Sequence, residues 1–144
     1  MTSCWNLPVA DLRSLLQRID VPAEVVRLIP RGNGVLVEFK NGRQQFIGVE
    51  DCGPHQIATS VVIGAARVDR IGRPQALARA WQRNRHTDLI AFGLDRKGRL
   101  IGRVDLLLSH LDLNEAAFAI LQLARESDRL QHILTGSDSS SRFG

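Results

Sequence analysis

The chain has no tyrosine, one methionine, two cysteines and only two lysines in 144 residues. Cys4 and Cys52 are too few for a disulfide framework, so a packed core has to hold the fold. No stretch approaches the ~20 uninterrupted apolar residues of a membrane-spanning helix, and no membrane role is expected. The opening "MTSCWNLPVADLRS" lacks a basic start followed by an apolar run, so no signal peptide is expected and a cytoplasmic setting follows. No glycine-rich phosphate loop is present, because "RGNG" leads into a strand pattern and not into a helix. Internal repeats are also lacking.

Catalytic sets are equally scarce. "EDCGPHQ" (50–56) is the one constellation with reactive side chains, and Cys52 with His55 could begin a metal site or a nucleophile–base pair. Closing such a site needs further ligands, and Cys4, His86, His110 and His132 are scattered singly along the chain. Gly53-Pro54 between them marks a turn joining two strands. Paired carboxylates such as Glu50-Asp51, or Asp105 with Asp112, have no spacing that implies joint acid–base work. The expectation is a protein that is not an enzyme and holds no cofactor or metal.

What is present is an ordinary globular composition, 44% hydrophobic and 24% charged, enough in one domain of residues 1–136 to bury a core. The tail "SDSSSRFG" (137–144) is small and polar and reads as disordered. Seventeen arginines dominate the basic residues. Residues 67–103 carry nine of them plus Lys97 against Asp69, Asp88 and Asp95, a local excess of seven positive charges. Two readings stand. Arg79, Arg83, Arg85, Arg96, Lys97, Arg99 and Arg103 could bind nucleic acid, neutralising phosphates and releasing counterions; otherwise they line a solvated face. Exposed aromatics among the arginines would mark single-stranded RNA recognition, and Phe92, the one aromatic on the late hairpin, falls on a core-like face.

Periodicity predicts the elements. Leu12, Leu15, Leu16 and Ile19 form a helical stripe over Pro8–Asp20, with Asn6 as cap and Trp5 packing nearby or on a second subunit. "EVVRLI" (24–29), "GVLVEF" (34–39) and "QQFIGVE" (44–50) read as strands, and Asn41-Gly42 as a type I′ hairpin turn. "QIATSVVIGAARV" (56–68) reads as a further strand, bent near Gly64. "PQALARAWQRNRH" (74–86) reads as a helix with Leu77, Ala78 and Trp81 as its apolar stripe. The last helix opens with a capping box of Asp112 and Glu115 and buries Leu113, Ala117, Ile120, Leu121, Ala124, Leu130 and Leu134. It ends at Gly136, with His132 in the last turn suiting the helix dipole when cationic. The order α-β-β-β(-β)-α-β-β-α is that of an α+β protein with helices packed on an antiparallel sheet.

Between the last two helices, "LIAFGLDRKGRLIGRVDLLL" (89–108) predicts a hairpin closed by Asp95–Arg99 with Gly98 left-handed. That register opposes Leu94 to Leu100 and Ile90 to Val104 on one face, with Phe92 between them. The second face carries Leu89, Ala91, Ile101 and Leu107, interrupted by Arg103 and Asp105. A small domain normally buries one such face, so the other needs a cover: the flanking helices, a second subunit or a client.

A helix like "ALARAWQRNR", a hairpin turn like "DRKG" and a final helix ending "ARESDRLQHILTG" resemble the YbjN-like proteins, relatives of the type III secretion chaperones. The resemblance covers residues 74–136 by pattern and the N-terminal half by element order. It implies a small cytosolic homodimer without catalytic activity. In the chaperone branch an extended client chain wraps the dimer, whereas the task of the YbjN branch is less defined. Secretion chaperones of this fold are usually acidic, and this chain is basic. On this reading Leu89, Ala91, Ile101 and Leu107, with Trp81 as an aromatic anchor, bind a protein or peptide partner. An edge strand could also take a client by strand addition.

Overall fold

The computed structural model describes residues 23–52, 55–85, 89–107 and 113–136. The predicted helix over Pro8–Asp20 with Trp5, the Asp112 cap, His86, His110 and the tail lie outside them. Six strands form one antiparallel sheet: β1 (Val25–Arg31), β2 (Gly34–Phe39), β3 (Gln44–Cys52), β4 (His55–Ile63), β5 (Ala91–Leu94) and β6 (Leu100–Leu107). Their spatial order is β1-β2-β3-β4-β6-β5. Among the described residues three helices join the sheet in the α+β fold: α1 (Ala65–Ile71), α2 (Arg73–Asn84) and α3 (Leu113–Thr135).

Two of the hairpins close with the same loop. Phe39 N–H donates to Arg43 O at 2.9 Å and Gly42 N–H to Phe39 O at 3.0 Å; Asp95 N–H and Gly98 N–H repeat this with Arg99 O and Asp95 O at 2.9 and 3.0 Å. Gly42 (φ 87°) and Gly98 (φ 81°) take the left-handed position of a three-residue loop built on a type I turn. The type I′ turn expected at Asn41-Gly42 is therefore corrected. No non-glycine residue among those described has positive φ, and Asn41 uses its side-chain oxygen to accept the Arg43 N–H at 2.8 Å. At the second loop Asp95 accepts from the Lys97 and Arg99 N–H groups and from the Arg99 guanidinium. Burial works to raise the pKa of Asp95, but those donors outweigh it and hold the carboxyl below its ordinary range.

The strand expected over 56–68 stops at Ile63. Gly64 stays extended, and Ala65-Ala66-Arg67, all good helix formers, start α1 immediately. Gly72 (φ 105°) then turns the chain into α2. The end of the expected strand is thus a short helix of its own, set against α2 at a glycine corner.

One face of the sheet is the core. Val35, Val37, Ile47, Ala58, Val62, Leu100 and Val104 are almost wholly buried there. Every described helix contributes to that same core, through Val68 of α1, Ala76 and Ala80 of α2, and Ile120, Leu123, Ala124 and Leu130 of α3. Each large aliphatic side chain so buried contributes roughly 1.5–3 kcal/mol. The expected stripe of α2 is corrected: Ala76 and Ala80 face inward, while Ala78, Leu77 (45% exposed) and Trp81 (61% exposed) face out. The late hairpin behaves as its alternation predicts, with Leu94 opposite Leu100 and Phe92 opposite Gly102 on the core side.

Polar clamps tie α3 down. Gln45 Nε2 donates to Gln131 Oε1 at 3.3 Å while Ser60 Oγ donates to Gln45 Oε1 at 2.8 Å, and Gln131 Nε2 reaches Val62 O at 3.0 Å. Arg43 pairs with Asp128 at 2.8 Å, and its guanidinium also meets the His132 ring at Nδ1.

Candidate functional site: the open sheet face and its edges

Alternation puts the remaining strand residues on the second face, and the registers align them. Ile29 opposes Leu36, and Leu36 opposes Phe46. The β3–β4 pairing opposes Gly48 to Thr59, and alternation from that rung puts Phe46 and Val61 on this same face. Val61 opposes Ile101, which opposes Gly93. An apolar row therefore crosses the sheet at right angles to its strands. Leu36 is buried within it, Ile29 and Ile101 are half-buried, and Phe46 and Val61 are each 41% exposed.

Two glycines shape the row. A Cβ on Gly34 would fall 2.1 Å from the Ile47 carbonyl oxygen and 2.8 Å from Phe46 Cζ; one on Gly48 would meet Phe46 Cε2 at 3.4 Å. The Phe46 ring thus lies down on backbone, leaving its upper surface to solvent. Polar residues border the row. Arg27 pairs with Glu38, which also accepts from Gln44 at 2.9 Å, and Arg103 pairs with Asp105 at 3.3 Å. The Arg27 guanidinium and then Gln44 hold the Glu38 carboxyl below its usual range. An apolar centre with a charged rim is the anatomy of a protein-binding patch.

Of the predicted partner residues, Ile101 sits in this row and Ala91 pairs with Arg103 beside it. Leu89, just before β5, is 58% exposed. Trp81 stands apart on α2, in the helical layer, with the Arg85 guanidinium 5.1 Å over its ring. Leu107 pairs with His55 by backbone; its side chain lies outside the described residues. Sequence reading missed Phe46 and Val61. The alternation in "QQFIGVE" and "SVVI" contains both, but only the sheet order brings them together.

Both edges of the sheet are closed to an added strand. β1 carries Pro30, which has no N–H, and a bulge between Val25 and Arg27. On β5 the Asn84 side chain takes the place of a neighbouring strand: Phe92 N–H donates to Asn84 Oδ1 at 2.7 Å, and Asn84 Nδ2 donates to Phe92 O at 3.1 Å. Strand addition at that edge would have to displace this amide.

The arginines of 67–103 do not share a face. Arg79, Arg83 and Arg85 flank a groove between α2 and α3, Arg96, Lys97 and Arg99 belong to the β5–β6 loop, and Arg103 lies on the open sheet face. Among the described residues four are matched by carboxylates: Arg73 by Asp69, Arg83 by Glu126, Arg99 by Asp95 and Arg103 by Asp105. Cys52 and His55 are backbone partners at the mouth of the β3–β4 hairpin, as a turn requires; their side chains lie outside the described residues. Among the described residues no cluster of His, Cys, Asp and Glu could hold a metal, and no helix is long and apolar enough to cross a membrane.

These observations define an α+β sheet protein with one helical face and a second face, covered by none of the described helices, that bears an apolar row. No protein-family model matches the chain, and no curated protein matches it. Among solved structures, a chain of the ExsC–ExsE complex aligns over 90% of this chain and 98% of its own length, at 20% identity and a TM-score of 0.49. Function has to be argued from this chain's own surfaces.

Proposed function

We propose that the chain is a non-enzymatic, chaperone-like protein-binding module of the cytoplasm that acts as a homodimer and holds a protein or peptide partner. The observation that supports this is the apolar row from Ile29 to Ile101 on a face that none of the described helices covers. Leu89, Ala91, Ile101 and Leu107 extend the partner surface at the β5–β6 end, and Trp81 anchors a second contact on α2. Phe46 and Val61 join them as the central contacts. Burying two such half-exposed side chains adds on the order of 1–3 kcal/mol to association.

The test replaces Phe46, Val61 and Ile101 together with serine, then compares variant and parent by light scattering and by affinity capture. The reading expects a folded variant that loses the parent's dimer or a defined, nuclease-resistant partner. A variant that keeps both would remove the sheet face as the binding surface.

A further inference from the structure

A second surface lies on the other side of the molecule. α2 and α3 run against each other and leave a groove of about 560 Å³ lined by Arg79, Gln82, Arg83, Arg85, Leu130 and Ile133. Its polar wall is basic, and none of its described lining residues is acidic. Glu126 of α3 engages Arg83 with an Nε–Oε1 distance of 2.7 Å. Arg79 reaches only the neutral Gln82, at 3.5 Å, and Arg85 lies over the Trp81 ring. Among the described residues no carboxylate stands within ion-pair distance of either. By contrast Arg43, Arg99 and Arg125 each rest on an acidic side chain. Two guanidiniums, always charged and shaped to grip carboxylates in pairs, therefore border this groove with no carboxylate partner among the described residues.

The floor is different in kind. Leu130 is buried and Ile133 is 47% exposed, so hydrocarbon lines the groove alongside the arginines. A phosphodiester backbone gains nothing from such a floor. A peptide alternating acidic and apolar side chains satisfies both walls at once.

We infer that the α2–α3 groove binds an acidic, apolar-containing peptide segment of another protein, at a site separate from the sheet face. Charge complementarity and the hydrocarbon floor together define that occupant.

The probe is a fluorescein-labelled decapeptide alternating glutamate and leucine, capped at both ends and titrated with the full chain at near-physiological salt. Fluorescence anisotropy is the readout. A glutamine–leucine decapeptide and an oligo(dT) of equal charge serve as competitors. Saturable binding of the glutamate peptide is expected. Loss of about tenfold or more in affinity is expected on changing glutamate to glutamine, and again for Arg79→Gln/Arg85→Gln, whose exposed positions leave the core untouched. Phe46→Ser should leave the affinity unchanged, which separates this site from the sheet face. Equal binding of the glutamine peptide, or an unaffected double variant, would overturn the inference. Tighter binding of oligo(dT) than of the peptide would overturn it too and make the groove a nucleic-acid surface.

Discussion

Replacing Asn84 with alanine should cost stability and open a sheet edge. The side-chain amide makes two hydrogen bonds to one residue, accepting from Phe92 N–H at 2.7 Å and donating to Phe92 O at 3.1 Å. Phe92 is only 6% exposed, so neither backbone group recovers bulk water fully once the amide is gone. An unsatisfied buried group costs about 1–3 kcal/mol, and partial water entry into the space vacated lowers each, so the pair is worth about 2 kcal/mol. Urea denaturation should show that loss as a lower midpoint at unchanged slope, and heating a midpoint lower by about 4–8 °C. The exposed N–H and C=O of β5 should also promote edge-to-edge association, visible by light scattering as a mass rising with concentration. Asn84→Asp separates the two bonds. At neutral pH its carboxylate still accepts from Phe92 N–H but faces the Phe92 carbonyl oxygen without a proton to donate. Protonation restores the donor, so this variant should recover stability below about pH 4, whereas Asn84→Ala should not. A penalty under about 0.5 kcal/mol with unchanged association would refute the account of Asn84 as a stand-in strand.

Other expectations follow from single contacts. Gly34→Ala drives a Cβ into the Ile47 carbonyl and the Phe46 ring, so it should destabilise by about 1–3 kcal/mol in urea melts. Leu100→Ala, at a wholly buried position between β5 and β4, should cost about 2–5 kcal/mol by the same measure. Asp95 is held below its ordinary pKa in the folded state, so its contribution is present at neutral pH and lost as pH falls through that lowered value. The stability gap between the parent and Asp95→Asn should therefore shrink below about pH 4; a gap that stays constant down to pH 2 would contradict the hydrogen bonds drawn to its carboxylate.

Much of the fold was legible in local chemistry. Gly98 and the alternation of 89–105 predicted the late hairpin, its left-handed residue and its two faces, because a loop needs positive φ at one place and a strand shows opposite faces at successive residues. The last helix was legible for the same reason, its apolar face recurring with the helical period up to Gly136. Where local signals competed, tertiary context decided. "VVIGAARV" offers β-branched residues and then alanines, and the chain switches at Gly64 because Val68 finds the core only when carried there by a helix. Leu77 and Trp81 look like a buried stripe, yet two alanines face inward because α2 packs close against β5 and α3 and leaves room only for small side chains.

The candidate sites were less legible, since both depend on neighbours distant in sequence. Ile29, Leu36, Phe46, Val61 and Ile101 are spread over 73 residues, and only strand order and register bring them into one row. Asn84 reads as an ordinary polar helix terminus until β5 passes its amide. The arginines read as one cluster along the chain, and folding divides them among a groove, a loop and a sheet face. Sequence by itself determined which segments could be strands or helices and which face of each was apolar, because those properties follow from neighbours within a turn or a rung. Which apolar faces were buried, which were left open, and which charges were matched was decided only by tertiary structure, because burial and ion pairing belong to surfaces that meet in space.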